Sequence, residues 1–522
     1  MPVRLGRAIQ VEIIDTVTLR RRRSPQYTLV MGFLAMTLFA AALLALPFAS
    51  ADGTATPLWD ALFTATSAVA TCGLVVVDTG THWSQFGRIV ILLAMQAGGL
   101  GFMAGTIILF QALGRQVSRH QRQTLQEQLA LRFFGGMSRT ARYFLAYTLV
   151  LELIGWVLLG WQFANSDGPG SADPVFYGLF HAVSAFTGSG FDLMGGYSSM
   201  AGFAATPVFL VIMMALIIPG DLGFLAVFDG LRSRSWPYAL EWRFKRAETG
   251  LVNFASRTVW RINSGARWMR ARFGRQAETL SPPEPERAPT RPRRPPNMRM
   301  ETKLILAGNA ICWPLAAVGF LILEWGNPDT LGALPAIDRI FNSAFHAVTS
   351  RNAGFSTVSV GMLNELTLIL LVPFMIIGTA SASMGAGLKI NTVGVLFATA
   401  MSRLRGLRQT EIFGRSIPVD RVYVSVTLLV LFLAMELITL LVVHATYSNP
   451  EMVNSLFDSV SAVSDIGLST GVPSQLNPGG KFFMCLIMFI ARLGPLTIVL
   501  ALLSPRMVGV GVRMPAESLR VG

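Results

Sequence analysis

PVFYGLFHAVSAFTGSGF, residues 174–191, opens on a proline, runs through an apolar stretch and ends in a short glycine turn followed by phenylalanine. Three other stretches match it: PLWDALFTATSAVATCGL (57–74), PAIDRIFNSAFHAVTSRNAGF (335–355) and PEMVNSLFDSVSAVSDIGL (450–468). The prolines Pro57, Pro174, Pro335 and Pro450 suit the first position of a helix, where the missing N–H costs nothing. Gly73, Gly190, Gly354 and Gly467 close the stretches, each followed by Leu or Phe. Phe63, Phe180, Phe345 and Phe457 stand nine or ten residues before those glycines, and Ser67, Ser184, Thr349 and Ser461 five or six before. Agreement at this many positions marks a fourfold internal repeat.

The surroundings of the repeat are membrane-like. The chain has 522 residues, 52% hydrophobic and 14% charged, with mean hydropathy +0.52, too apolar for a soluble domain of this size. Windows of roughly 20 apolar residues, the length that crosses a bilayer, begin near Tyr27, Ile89, Tyr143, Phe203, Leu304, Glu365, Val422 and Phe482. Residues 26–50 resemble a signal peptide cleaved near Ala51, but their apolar run is about twice a usual signal core, so they read as a retained helix. Each quoted stretch falls between two windows. A half-helix of about 12 residues cannot span a bilayer, and irregular backbone at that depth survives only when buried in protein or lining a water-filled cavity. The expected fold is an all-α integral membrane protein: four helix–pore loop–helix repeats around a central pore, with eight transmembrane helices and four re-entrant pore helices.

Charge sets the orientation. The net charge of +14 raises the possibility of nucleic-acid binding, but its distribution argues against that reading. Residues 231–300 carry 16 Lys/Arg against five Asp/Glu, further clusters lie at 19–23, 115–142 and 403–421, and residues 143–231 have no Lys or Arg. This is the positive-inside pattern, and it puts both termini and residues 231–300 in the cytoplasm. The repeat glycines are 117, 164 and 113 residues apart. The long middle spacing contains LSPPEPERAPTRPRRPP, a Pro-rich basic linker. The expected divisions are a cytoplasmic N-terminus (1–25), repeat 1 (26–113), repeat 2 (140–230), linker (231–300), repeat 3 (301–402), repeat 4 (419–505) and a cytoplasmic C-terminus (506–522). RTVWRINSGARWMRARFGR (257–275) mixes Trp and Arg as interfacial segments do, and a disordered spacer is an equal alternative. Cys72, Cys312 and Cys485 have no paired spacing, which supports neither a disulfide framework nor a zinc site.

The repeated glycine has a chemical use. Without a Cβ it adopts positive φ, so consecutive carbonyls turn inward and replace the water around a cation. The half-helix aims the negative end of its dipole at the same centre. A re-entrant turn that only packs repeats together is the alternative, and four aligned copies weigh against it.

HAVSAF…GF in the second repeat, AVTSRNAGF in the third, VSDIGLSTG in the fourth, QAGGLGF (96–102) and FIARLGPLT (489–497) resemble the Trk/Ktr superfamily of potassium transporters. These are the membrane subunits of bacterial potassium uptake systems, related to the plant high-affinity potassium transporters. The resemblance runs from about Ser24 to Leu503, linker excepted. It implies a filter built from Ala70, Thr71, Cys72 and Gly73; Thr187, Gly188, Ser189 and Gly190; Arg351, Asn352, Ala353 and Gly354; and Ser464, Asp465, Ile466 and Gly467. Within each set the two residues before the glycine offer their carbonyls to the ion. Glycine at position 73, where serine accompanies sodium conduction, implies K+ as the transported ion, with Na+ the second candidate. The side chains of Arg351 and Asp465 are expected to point away from the ion.

Further parts follow from the same resemblance. GTASASMGAGLKIN (378–391) resembles an intramembrane gating loop beneath the filter, with Gly378, Gly385 and Gly387 as its mobile positions and Lys389 at its end. Ala382, Met384 and Ala386 depart from the glycine-rich pattern. Arg492, charged within an apolar helix, is expected below the filter as a barrier to cations. Glu152 and Glu436 are also intramembrane but sit in first helices, where pairing with a partner and a functional role are equal alternatives. The implied assembly is a homodimer in the cell (plasma or inner) membrane, in contact with lipid and gated by a cytosolic nucleotide-binding regulatory ring protein. An ion-coupled (Na+ or H+) secondary transporter, a symporter, is the competing reading; two inverted repeats would favour it, whereas four of one polarity favour a channel. An intramembrane aspartyl protease would need a partner for Asp221, and neither HExxH nor GxSxG occurs, so no enzyme is expected.

Overall fold

The computed structural model describes residues 25–101, 137–233, 298–381 and 383–494, with Thr249, Asn253 and Ser256. Most of the expected linker, both expected termini and Ala382 lie outside the described residues.

Helices form where the hydropathy windows place them. The long elements are α1 (Pro25–Leu44), α3 (Gln85–Leu100), α4 (Met137–Ala164), α6 (Pro207–Arg232), α7 (Met300–Glu324), α11 (Val419–Thr446) and α13 (Pro478–Leu493). The window starting near Glu365 becomes two helices, α9 (Glu365–Ile376) and α10 (Ile390–Leu404), as the small-residue run predicts. Four of these helices are by themselves long and apolar enough to cross a membrane: Arg142–Ala164, Pro207–Leu231, Met300–Glu324 and Val419–Thr446. A two-stranded antiparallel hairpin, β1 (Thr410–Ile412) with β2 (Arg415–Ile417), joins α10 to α11 and pairs Thr410 with Ile417.

The four quoted stretches form short helices: α2 (Leu58–Ala70), α5 (Pro174–Thr187), α8 (Ala336–Thr349) and α12 (Met452–Ser464). At 1.5 Å per residue each is about 20 Å long, well short of a hydrocarbon core of about 30 Å. Their last turns are buried throughout. Only Pro174 takes the first helical position, where Asp173 caps the helix by accepting from the Phe176 N–H at 3.1 Å. Pro57 and Pro335 stand at the N-cap and Pro450 one residue earlier. With no side-chain cap at those three ends, the helix starts just after the proline instead of on it.

The apolar core lies between repeats. One cluster joins repeats 1 and 2, including Trp83, Phe163, Phe180 and Phe209. A second joins repeat 1 to repeat 4 through Phe63, Cys72, Phe432 and Met488. A third joins repeats 3 and 4 through Phe320, Leu371, Phe457 and Ile466. The first cluster also takes in Phe345 and Val348 of repeat 3, so each short helix is held by neighbours on both sides.

Candidate functional site

Where each short helix ends, the backbone turns sharply. In repeats 1, 2 and 4 the turn is made by a left-handed residue two positions before the glycine: Thr71 (φ 54°), Gly188 (φ 70°) and Asp465 (φ 49°). For a non-glycine residue this conformation costs about 1–2 kcal/mol. It is held by matching hydrogen bonds, in which the N–H groups of Cys72, Ser189 and Ile466 donate to the carbonyls of Ser67, Ser184 and Ser461 at 2.9, 2.9 and 3.0 Å. The repeated serines do more. The Ser67 and Ser461 hydroxyls accept from the N–H groups of Gly73 and Gly467 at 3.0 and 3.1 Å, while Ser184 Oγ donates to the Phe191 carbonyl at 2.7 Å.

The four glycines then close a ring. All have positive φ: 90° at Gly73, 69° at Gly190, 68° at Gly354 and 98° at Gly467. A Cβ on Gly73 would collide with the carbonyl oxygen of Ser189, on Gly190 with that of Ala353 (2.7 Å), on Gly354 with that of Ile466 and on Gly467 with that of Cys72. Each carbonyl just before a glycine thus borders the glycine of the adjacent repeat, in the order 1, 2, 3, 4 and back to 1. A side chain at any of these positions meets both a disfavoured φ and a backbone oxygen.

Side chains around the ring fall into two groups. Thr187 Oγ1 and Ser189 Oγ bond each other at 2.9 Å, and Ser189 Oγ lies 2.9 Å from Met95 Sδ. Arg351 is spent on other partners: Nε donates to the Ile377 carbonyl at 3.1 Å, one terminal nitrogen to the Gly378 carbonyl at 2.6 Å and the other to Asn309 Oδ1. A second set is buried with no hydrogen-bond partner among the described residues: Thr71 Oγ1, Thr349 Oγ1 and Ser464 Oγ; the Asn352 amide faces the Asp221 carboxylate and the Asp465 carboxylate faces the Cys72 thiol. Buried polar groups in native proteins are almost always satisfied; other such atoms are spread through the fold, at Trp83, Asn342 and Asp458 among others, and these hydroxyls are the ones that border the ring. Asp465, fully buried, lies within electrostatic reach of Arg492 and Lys389.

Residues 377–389 form a loop that packs against this ring. Its neck is closed by the Gly378 N–H donating to the Leu388 carbonyl at 3.0 Å, with Gly378 and Gly387 back to back. Gly385 abuts the Asn352 amide and Gly387 the Ser464 side chain. The N–H groups of Ala380 and Met384 donate to the carbonyls of Asp221 and Gly220 at 3.1 and 3.3 Å. These acceptors are free because α6 is interrupted there, by Pro219 and by Gly223 at φ 70°, ψ 145°. Met384, one of the departures from the glycine-rich pattern, packs among Phe144, Phe186 and Phe224. Lys389 Nζ donates to the Gly385 carbonyl. The Arg492 guanidinium, 6% exposed, donates to the Met384 carbonyl and, at 3.0 Å, to the Gly98 carbonyl, so it ties the loop to α3.

Both intramembrane glutamates find partners. Gln96 Nε2 donates to Glu152 at 2.9 Å and Ser459 Oγ to Glu436 at 2.6 Å. At the far end of the short helices Lys481 Nζ donates to Asp60 Oδ1 at 2.7 Å, linking repeat 4 to repeat 1. Sequence reasoning did not find the docking of the loop on Gly220 and Asp221, although Pro219, Gly220 and Gly223 in one apolar helix signal its interruption.

Long apolar helices around four buried, inward-ending short helices define a polytopic membrane protein of a transport class. The TrkH family, described as cation transport protein, matches residues 17–236 and 301–507. The chain is 32% identical over 485 residues to the Ktr system potassium uptake protein B of Bacillus subtilis, covering 92% of this chain and 93% of that one. It is 30% identical over 507 residues to the potassium/sodium uptake protein NtpJ of Enterococcus hirae, covering 96% and 98%. In fold it is similar to the crystal structure of the potassium transporter TrkH from Vibrio parahaemolyticus, with a TM-score of 0.61 and 16% identity over 93% of this chain and 86% of that one. This chain belongs to the TrkH family of cation transport proteins; it is a transporter, not an enzyme.

Proposed function

We propose that the protein takes up potassium across the cell membrane through a filter made of the four glycine turns. The observation that carries this reading is the closed ring, in which the carbonyls of Cys72, Ser189, Ala353 and Ile466 each border the glycine of the next repeat. Backbone oxygens at the negative ends of four helices suit a dehydrated monovalent cation. Thr71, Gly188, Asn352 and Asp465 supply the next carbonyls along the path, and Ala70, Thr187, Arg351 and Ser464 the last residues before them. The unpaired hydroxyls of Thr71 and Ser464 fit a hydrated ion beside the ring. The names of the two curated relatives, one a potassium and one a potassium/sodium uptake protein, agree with K+ as cargo and keep Na+ as a second one.

The loop 378–391 is the gate in this reading. It lies against two of the four turns and is held by Arg492, so its withdrawal opens the path. A cytosolic nucleotide-binding subunit biases the withdrawn position, and two copies of the chain form the transporter, with both termini and the 231–300 linker in the cytoplasm. The competing reading is a symporter coupled to Na+ or H+. Rubidium flux into liposomes separates the two. Uptake down the rubidium gradient alone is the expected result; uptake that appears only with an imposed sodium or proton gradient refutes the channel-like reading.

A further inference from the structure

Behind the loop, between it and the helices α10, α11 and α13, lies a cavity of about 140 Å³. Leu428, Phe432 and Met435 of α11 and Val463 of α12 make its apolar walls, while Lys389 and Arg492 border it with an amine and a guanidinium. The Arg492 fork is only partly used: its two terminal nitrogens hold carbonyls, and Nε, buried, has no hydrogen-bond partner. Apolar cavities of roughly 150 Å³ take a benzene ring. A guanidinium in low dielectric favours an oxyanion over any neutral acceptor.

We propose that this cavity is a binding site for a small amphiphilic anion, a single aromatic ring or short alkyl chain carrying a carboxylate, sulfonate or phosphate head. The ring lies among Leu428, Phe432 and Met435, and the head accepts from Arg492 Nε and Lys389. The site stands on the cavity and its donors alone. Its consequence for transport rests on the gating role of the loop: an occupant fills the space behind Gly385 and Ala386 and keeps the loop against the ring, so flux falls.

Benzenesulfonate, anionic at every working pH, is the probe, and benzyl alcohol its neutral counterpart. Titration of the purified full-length chain by calorimetry is expected to show saturable benzenesulfonate binding, at least about tenfold tighter than benzyl alcohol (one decade per 1.4 kcal/mol). Leu428→Trp fills the cavity and abolishes binding. Met435→Ala enlarges it and shifts preference toward naphthalenesulfonate, a gain that an unfolded variant does not produce. Equal binding of both probes, or affinity indifferent to both variants, overturns the site. Binding that leaves liposome flux unchanged upholds the site and removes the gating role of the loop.

Discussion

Arg492→Ala is the substitution whose effect the geometry fixes most directly. The guanidinium bridges the Met384 carbonyl in the loop and the Gly98 carbonyl in α3. A hydrogen bond from a charged donor contributes about 1.5–3 kcal/mol, and at 1.4 kcal/mol per decade its loss moves the docked-to-withdrawn equilibrium of the loop by roughly ten- to a hundredfold. The loop keeps its two N–H bonds to α6 and the hold of Arg351 on its neck, so the change is a population shift and not its release. On the proposed path, removing the positive charge acts in the same direction, because a fixed cation in a poorly screened site repels a passing one. Rubidium flux in liposomes at matched protein should therefore rise at least several-fold, with preference for rubidium over sodium retained. Arg492→Lys separates the two causes: one compact ammonium keeps the charge but loses the planar fork that spans two carbonyls, so its flux should fall between those of wild type and Arg492→Ala. Unchanged or lower flux in a monodisperse Arg492→Ala protein would refute the reasoning.

Gly73→Ser should lower discrimination between potassium and sodium several-fold, because the new Cβ at φ 90° displaces the Ser189 carbonyl; bi-ionic flux measurements that show wild-type selectivity in a folded variant would count against the ring as filter. Deleting residues 380–386 should raise flux in the absence of any cytosolic partner while leaving ion preference intact, since Arg351 bonds to Ile377 and Gly378 outside the deleted stretch. Flux still fully dependent on the partner after that deletion would return the loop to a packing role.

The parts of this architecture that were legible in the sequence are those that a single residue type can report. Glycine was readable at the four turns because it is demanded twice, by positive φ and by the neighbouring carbonyl, and the broken helix was readable because a run of small residues cannot fill a membrane helix. Gly98 in QAGGLGF is the same kind of signal, its missing Cβ admitting the Val69 carbonyl. The order of the ring was not legible, since each contact joins residues more than a hundred positions apart. Nor was the choice of donors that hold the loop: Arg492 reads as an isolated charge until Met384 and Gly98 are brought to it. Asp221 drew attention as a carboxylate, yet the atom that meets the loop is its backbone carbonyl, freed by the interruption of α6.

The third repeat departs from its siblings in a way that joins the ring to the loop. Phe345 stands nine residues before its glycine where the others stand ten, and the missing residue changes the turn. Its helix ends on Ser350 in the right-handed region instead of a left-handed residue, and the Thr349 carbonyl accepts from Asn352, Ala353 and Gly354 at 3.2, 3.0 and 3.2 Å. Arg351 follows at once, 1% exposed, and spends its donors on Asn309 and on the neck of the loop. The next residue, Asn352, touches the loop at Gly385. Three copies of the turn are thus braced by their own serines, while the fourth is braced partly by the loop that crosses beneath it. The same bonds that fix the neck also fix one quarter of the ring, whereas Ala380 and Met384 are held by α6 and, at Met384, by Arg492. In the proposed gating, this division lets the tip, from Ala380 to Ala386, withdraw without disturbing the carbonyls of the proposed filter.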